Sequence, residues 1–153
     1  MANTYTQIYL QIVIVVKGRK CLIPDNKKEQ LYKYITGIIQ NKRHKLIAIN
    51  GVSNHIHFLF GLYPAEALSD LIKEVKRCST NFINEQKWIK GRFSWQEGYG
   101  AFSYSRSQLN NLIKYINNQE IHHKNNTFRE EYVEMLKKFE VVYNEKFIFE
   151  TVD

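Results

Sequence analysis

Asn54-His55-Ile56-His57-Phe58-Leu59-Phe60-Gly61 is the stretch from which the fold can be read. Side chains alternate along a strand, so His55, His57 and Leu59 share one face and Ile56, Phe58 and Phe60 the other. The bulky apolar set belongs against a helical layer. The opposite face then carries two imidazoles, with Cα atoms about 6.5 Å apart. A strand with one apolar and one polar face is typical of an antiparallel sheet covered on one side.

The flanking segments agree with that reading. His44 to Gly51 predicts a preceding strand, joined through the tight connection Gly51-Val52-Ser53-Asn54. Before it, Pro24-Asp25 opens a helical pattern with Leu31, Ile35, Ile38 and Ile39 on one side, ending near Lys42. Thr6 to Val16, rich in Ile, Val and Tyr and nearly continuously apolar, predicts a central strand. Downstream, Pro64 starts a second helix, with Leu68, Leu71, Ile72, Val75, Phe82 and Ile83 at helical spacing up to Gln86. Gly91 to Ser103 predicts an aromatic-rich strand. Ser105 then offers a cap for a helix running to Lys124, and a last amphipathic helix covers Phe128 to Tyr143.

The order strand, helix, strand, strand, helix, strand is the split βαβ arrangement. The expectation is an α+β, ferredoxin-like (RRM-like) antiparallel sheet, with both crossover helices on one face and C-terminal helices following. Without a repeat, a low-complexity tract or a Gly/Ser-rich linker, residues 1–153 are expected to form a single domain.

Lys and Arg number 22 against 15 Asp and Glu, a formal charge of +7, which favours a polyanionic partner, nucleic acid first. The two cysteines, Cys21 and Cys78, are far apart and form no CxxC pair, so neither a zinc knuckle nor a disulfide framework is expected. The N-terminus lacks the pattern of a secretory signal. The longest apolar run, Ile12 to Val16, falls far short of the ~20 residues of a membrane helix. No membrane partner and a cytoplasmic setting are expected.

A His-x-His pair on a strand can hold a metal ion or be two ordinary surface histidines. The helix after the last strand bears on the choice. Leu109, Leu112, Ile113 and Ile116 form its apolar stripe, and Tyr115 and Gln119, four apart, stack along the edge of that stripe. If the helix covers the histidine face, the Gln119 carbonyl oxygen could join two imidazoles around one ion. Positions would remain for phosphate oxygens and water, which suits Mg²⁺ or Mn²⁺. Taken singly, Tyr115 and Gln119 also read as ordinary boundary residues of an amphipathic helix. Lys73, Lys76 and Arg77 form a basic strip on the second helix, and Lys87, Lys90 and Arg92 follow it; the set could track DNA phosphates, or simply be solvated. Trp95, Tyr99, Phe102 and Tyr104 could stack on unpaired bases, or be half core. His122 and His123 read best as histidines at a helix C-terminus.

Taken together, His55-Ile56-His57, the run Phe93 to Ser103 and Lys114-Tyr-Ile-Asn-Asn-Gln119 resemble the HUH single-tyrosine transposases of small bacterial insertion sequences, the IS200-like family. The resemblance runs from Tyr5 to Tyr143. It implies that His55, His57 and Gln119 hold a divalent ion, Mg²⁺ or Mn²⁺, and that Tyr115 is the nucleophile. The implied activity is cleavage and rejoining of single-stranded DNA through a 5′-phosphotyrosine, in a bacterial cytoplasm. The implied substrates carry hairpins at element ends, and the implied assembly is a homodimer in which the active sites can form in trans. Asn54 stands where many relatives carry Asp, which implies a changed hydrogen bond behind His55. Gln11 stands where many carry His, and the sequence assigns it no role. No residue is identified as the acceptor of the Tyr115 proton.

The alternative of a different class is a domesticated, non-cleaving protein that binds single-stranded or hairpin DNA. A replication-type nickase would share the chemistry without strand transfer. An RNA-binding module of this topology would need RNP-type aromatics on its central strands, which the histidine strand does not supply. The absence of a GxxxxGK[ST] loop agrees with chemistry that exchanges one phosphodiester for another without ATP.

Overall fold

The computed structural model describes residues 3–144 and Ile148. Strand β1 (Tyr9–Val15) leads to helix α1 (Lys28–Asn41), then to the hairpin of β2 (Lys45–Val52) and β3 (His55–Gly61). Helix α2 (Leu68–Gln86) crosses to β4 (Gly100–Tyr104), and α3 (Leu109–Asn117), α4 (Gln119–His122) and α5 (Phe128–Lys138) follow. The sheet has the order β2-β3-β1-β4, with every neighbouring pair antiparallel. This is the ferredoxin-like α+β arrangement expected from the element order.

Both central strands are buried on two faces. Ile12 and Ile14 of β1 and Ile56, Phe58 and Phe60 of β3 pack against Leu31, Ile35 and Ile39 of α1 and Leu71, Ile72 and Val75 of α2. Each of these side chains contributes about 1.5–3 kcal/mol by leaving water. The other face is closed by the C-terminal helices. Val13, Val15 and Phe102 meet Phe128, Tyr132, Met135 and Leu136, while Ala48 and Leu59 meet Leu109, Leu112 and Ile116.

The β2–β3 turn sets the histidine register. A Cβ at Gly51 would lie 2.3 Å from the His55 carbonyl oxygen and 2.7 Å from Ile56 Cα, so this position demands glycine. The pairing then puts Val52 opposite His55 and Asn50 opposite His57.

Four expected boundaries shift. Helix α2 begins at Leu68, with Ala67 extended at its N-cap, rather than at Pro64. The strand expected over Gly91 to Ser103 is confined to its end, and Trp95 makes only an isolated bridge to Val16. Asn84 of α2 takes the backbone pairing of Phe93, with Phe93 N–H donating to Asn84 Oδ1 at 2.8 Å and Asn84 Nδ2 donating to the Phe93 carbonyl at 3.1 Å. The helix expected to reach Lys124 breaks at Asn118 (φ −103°, ψ 21°), which re-aims Gln119. The last helix stops at Lys138, and Glu140 turns left-handed (φ 54°) before the expected end at Tyr143.

Candidate active site

His55 and His57 project from β3 towards the C-terminal helices, and both are fully buried. His55 Nδ1 lies 2.7 Å from Asn54 Oδ1, and His57 Nδ1 lies 3.0 Å from Gln11 Oε1. Gln11 in turn donates from Nε2 to the Tyr104 hydroxyl at 3.1 Å. Asn54 thus serves as the hydrogen-bond acceptor behind His55, and Gln11, which the sequence left without a role, holds His57.

The distal nitrogens face α4 and α5. His55 Nε2 is 3.3 Å from Gln119 Oε1 and 3.4 Å from Glu131 Oε1, and His57 Nε2 is 3.0 Å from Glu131 Oε1. Gln119 is fully buried, and Glu131 is only 2% exposed. The Tyr115 hydroxyl donates to Glu131 Oε2, and its ring stands edge-on to His57 with centroids 5.8 Å apart. Gln119 Nε2 donates to the same Glu131 Oε2 at 3.3 Å. Burial, reinforced by the Glu131 charge and hydrogen bond, holds the Tyr115 phenol well above its ordinary range. Burial likewise pulls His55 down to about 4, so its imidazole is neutral near pH 7.

The donor set fits a cation. A neutral imidazole carries one N–H. With that proton directed from Nδ1 to Asn54 and Gln11, His55 and His57 present Nε2 lone pairs to two further acceptors, Gln119 Oε1 and Glu131 Oε1. The ligand atoms of His55, His57 and Glu131 all lie within 4.8 Å of one another. Four electron-rich atoms facing one point are electrostatically unfavourable alone and suit a divalent ion between them.

Tyr115 is held from behind by β2. Asn50 Nδ2 donates to the carbonyls of Ile116 at 2.9 Å and Asn117 at 3.1 Å, groups that lose helical partners where α3 ends at Asn117. The break at Asn118 is thereby tied to the strand beside His57.

Residues 4–119 match the family model described as "Transposase IS200 like". The chain belongs to the IS200-like transposase family. Among solved structures, a candidate transposase from Deinococcus radiodurans R1 superposes with a TM-score of 0.59 at 20% identity, covering 78% of this chain and 95% of that one. A REP-associated tyrosine transposase bound to a REP hairpin superposes with a TM-score of 0.61 at 13% identity, covering 80% and 73% respectively. At such identities the likeness is one of fold. No curated protein matches the chain.

In this IS200-like transposase, the expected Tyr115, His55, His57 and Gln119 come together at one place. Glu131, which sequence reasoning missed, lies at the centre of that place and beyond the family match. One signal could have found it: Phe128, Glu131, Tyr132, Met135 and Leu136 form the buried stripe of α5, and a carboxylate in an apolar stripe needs a partner. His122 and His123 also reach it, with Nε2 atoms 3.2 Å and 3.0 Å from its oxygens, rather than merely ending a helix.

The basic strip lies elsewhere. Helix α2 packs on the opposite sheet face from the histidines. Lys76 turns inward, Nζ donating to the carbonyls of Gln96 at 2.8 Å and Gly98 at 2.5 Å, and burial lowers it to about 8. Arg77 pairs with Glu74 at 2.6 Å, while Lys73 and Arg92 are exposed. Of the aromatic set, Trp95 and Phe102 are buried, and Trp95 Nε1 donates to Ser79 Oγ at 2.9 Å, so these two are core. No described helix is long and apolar enough to cross a membrane.

Proposed function

We propose that this transposase is metal-dependent and cleaves and rejoins single-stranded DNA through a 5′-phosphotyrosine on Tyr115. The observation that carries the reading is the meeting of the Tyr115 hydroxyl with the His55–His57 pair at one buried carboxylate. His55, His57 and Gln119 are the proposed ion ligands, with Glu131 beside them. A divalent ion held there supplies positive charge that orients a nonbridging phosphate oxygen and offsets charge in the transition state.

The chain's own residues do the rest. Tyr115 gives its proton to Glu131 Oε2 as its oxygen forms the bond to phosphorus. The bond from phosphorus to the 3′ oxygen breaks, and that oxygen leaves with the electron pair and takes up a proton. One phosphodiester is exchanged for one phosphotyrosine ester, so attack by another 3′-hydroxyl reverses the step and joins a new strand.

Hairpin DNA is the proposed substrate, motivated by the neighbour of like fold that binds a REP hairpin. Lys73 and Arg92, exposed on the α2 side, are offered for phosphate contacts, whereas Lys76 and Arg77 are already engaged. Tyr115 faces His57 of its own chain, which favours a site assembled in cis, so each subunit of a homodimer would hold its own nucleophile. The test is incubation with single strands from the flanking genome, labelled at either end, with and without Mg²⁺ or Mn²⁺. The fragment 5′ of the cut should be released free with a 3′-hydroxyl and the other retained on protein, only with metal. Hairpin binding without any cut would leave the non-cleaving binder.

A further inference from the structure

Beyond the His55–His57 pair stands a second set of ligand atoms. The ligand atoms of His122, His123 and Glu131 lie within 4.8 Å of one another. We infer that His122, His123 and Glu131 form a second cation site, which takes a transition-metal ion such as Zn²⁺ or Co²⁺ and lies beside the first. The inference rests on the metal-dependent reading for the first ion alone, and not on the role of Tyr115.

His123 is oriented by the backbone. Its Nδ1 lies 3.0 Å from the backbone carbonyl of Asn126, which can only accept, so Nδ1 bears the proton. In a neutral imidazole Nε2 then presents its lone pair to Glu131 Oε1, 3.0 Å away. Two acceptors at that separation repel unless a cation lies between or beside them. His122 adds an independent sign: its Nε2 is buried and makes no hydrogen bond among the described residues, yet it lies 3.2 Å from Glu131 Oε2. A buried nitrogen without a hydrogen bond is costly, and an ion would recover that cost.

The separations suit coordination. Ligands about 2.0–2.2 Å from one ion stand about 3.0–3.5 Å from each other, and these atoms are 3.0 and 3.2 Å from the carboxylate oxygens. Two imidazoles and one carboxylate favour borderline transition metals. Glu131 Oε1 faces His55, His57 and His123, and Oε2 faces His122 and Tyr115. An ion at His122 would therefore set positive charge beside the Tyr115 ring, whose centroid is 5.2 Å from that of His122.

The experiment is equilibrium dialysis of the metal-free full chain against Co²⁺, with the visible ligand-field bands as a second readout. The wild type should bind two ions per chain. His122→Ala with His123→Ala should bind one, as should His55→Ala with His57→Ala, each with distinct residual bands. Far-UV circular dichroism checks folding, and His122→Ala alone, at a 24% exposed side chain, serves if the double variant unfolds: it should weaken the second ion at least tenfold. One ion in the wild type, lost only with His55 and His57, overturns the second site and leaves the first. One ion lost in both double variants shows a single joint site and also overturns it. No ion at all overturns both.

Discussion

Glu131 accepts the hydrogen bond of the Tyr115 hydroxyl from a helix that begins after the family match has ended. The same carboxylate faces His55 and His57 at 3.4 and 3.0 Å. One residue therefore links the proposed nucleophile to the proposed ion ligands. Glu131→Gln keeps the shape and removes the charge. Loss of a proton acceptor typically costs 10²–10⁴-fold, so the cleavage rate should fall by about that factor. Single-turnover cleavage by folded protein checks it, and a rate within threefold of wild type would remove Glu131 from the chemistry.

Asn50 is expected to matter without touching substrate. It satisfies two carbonyls at the end of α3, each such bond contributing about 0.5–1.5 kcal/mol. Asn50→Ala should lower stability by about 1–3 kcal/mol in urea unfolding. It should also slow cleavage more than it weakens DNA binding, because the loosened helix carries Tyr115.

Much of this was legible in the sequence, and for a physical reason. Strand alternation in His55 to Phe60 fixes which residues face the helices, and helical spacing brings Tyr115 and Gln119 to one edge. Both are local rules. Glu131, Gln11 and the Asn50 clamp arise from contacts across the fold: Glu131 lies 74 positions from His57, and Gln11 lies 46. No periodicity reports such pairs. The break at Asn118 was missed because the apolar spacing gives no sign of it, and the Asn50 side chain that takes up the Ile116 and Asn117 carbonyls comes from across the fold. Lys76 looked like a phosphate ligand because sequence cannot tell an outward lysine from one that ties down the Gln96 and Gly98 carbonyls.

Acid should destabilise the metal-free chain through His55. Its folded value is lowered to about 4 from 6.5, so between these values the unfolded chain binds the extra proton. The His55 contribution is intact above pH 6.5 and is lost progressively as pH falls to 4, by up to ~3 kcal/mol. Urea unfolding in chelator at pH 7, 5.5 and 4, compared with His55→Gln, isolates the effect. Equal pH slopes in the two proteins would contradict it.

Assembly of the site in cis, as proposed, would make complementation fail. Tyr115→Phe and His57→Ala chains, each inactive, should remain inactive when mixed under conditions that exchange subunits. Recovery of about a quarter to a half of wild-type cleavage would mean that Tyr115 completes the partner's site.

The proposed chemistry joins Tyr115 covalently to DNA. The direct measurement is protease digestion of the denatured protein–DNA complex formed with Mn²⁺, followed by mass spectrometry of the nucleotide-bearing peptide. A 5′-phosphate nucleotide is expected on the peptide containing Tyr115, absent without metal and absent in Tyr115→Phe. An adduct on any other residue, or metal-dependent cleavage that persists in Tyr115→Phe, would contradict it.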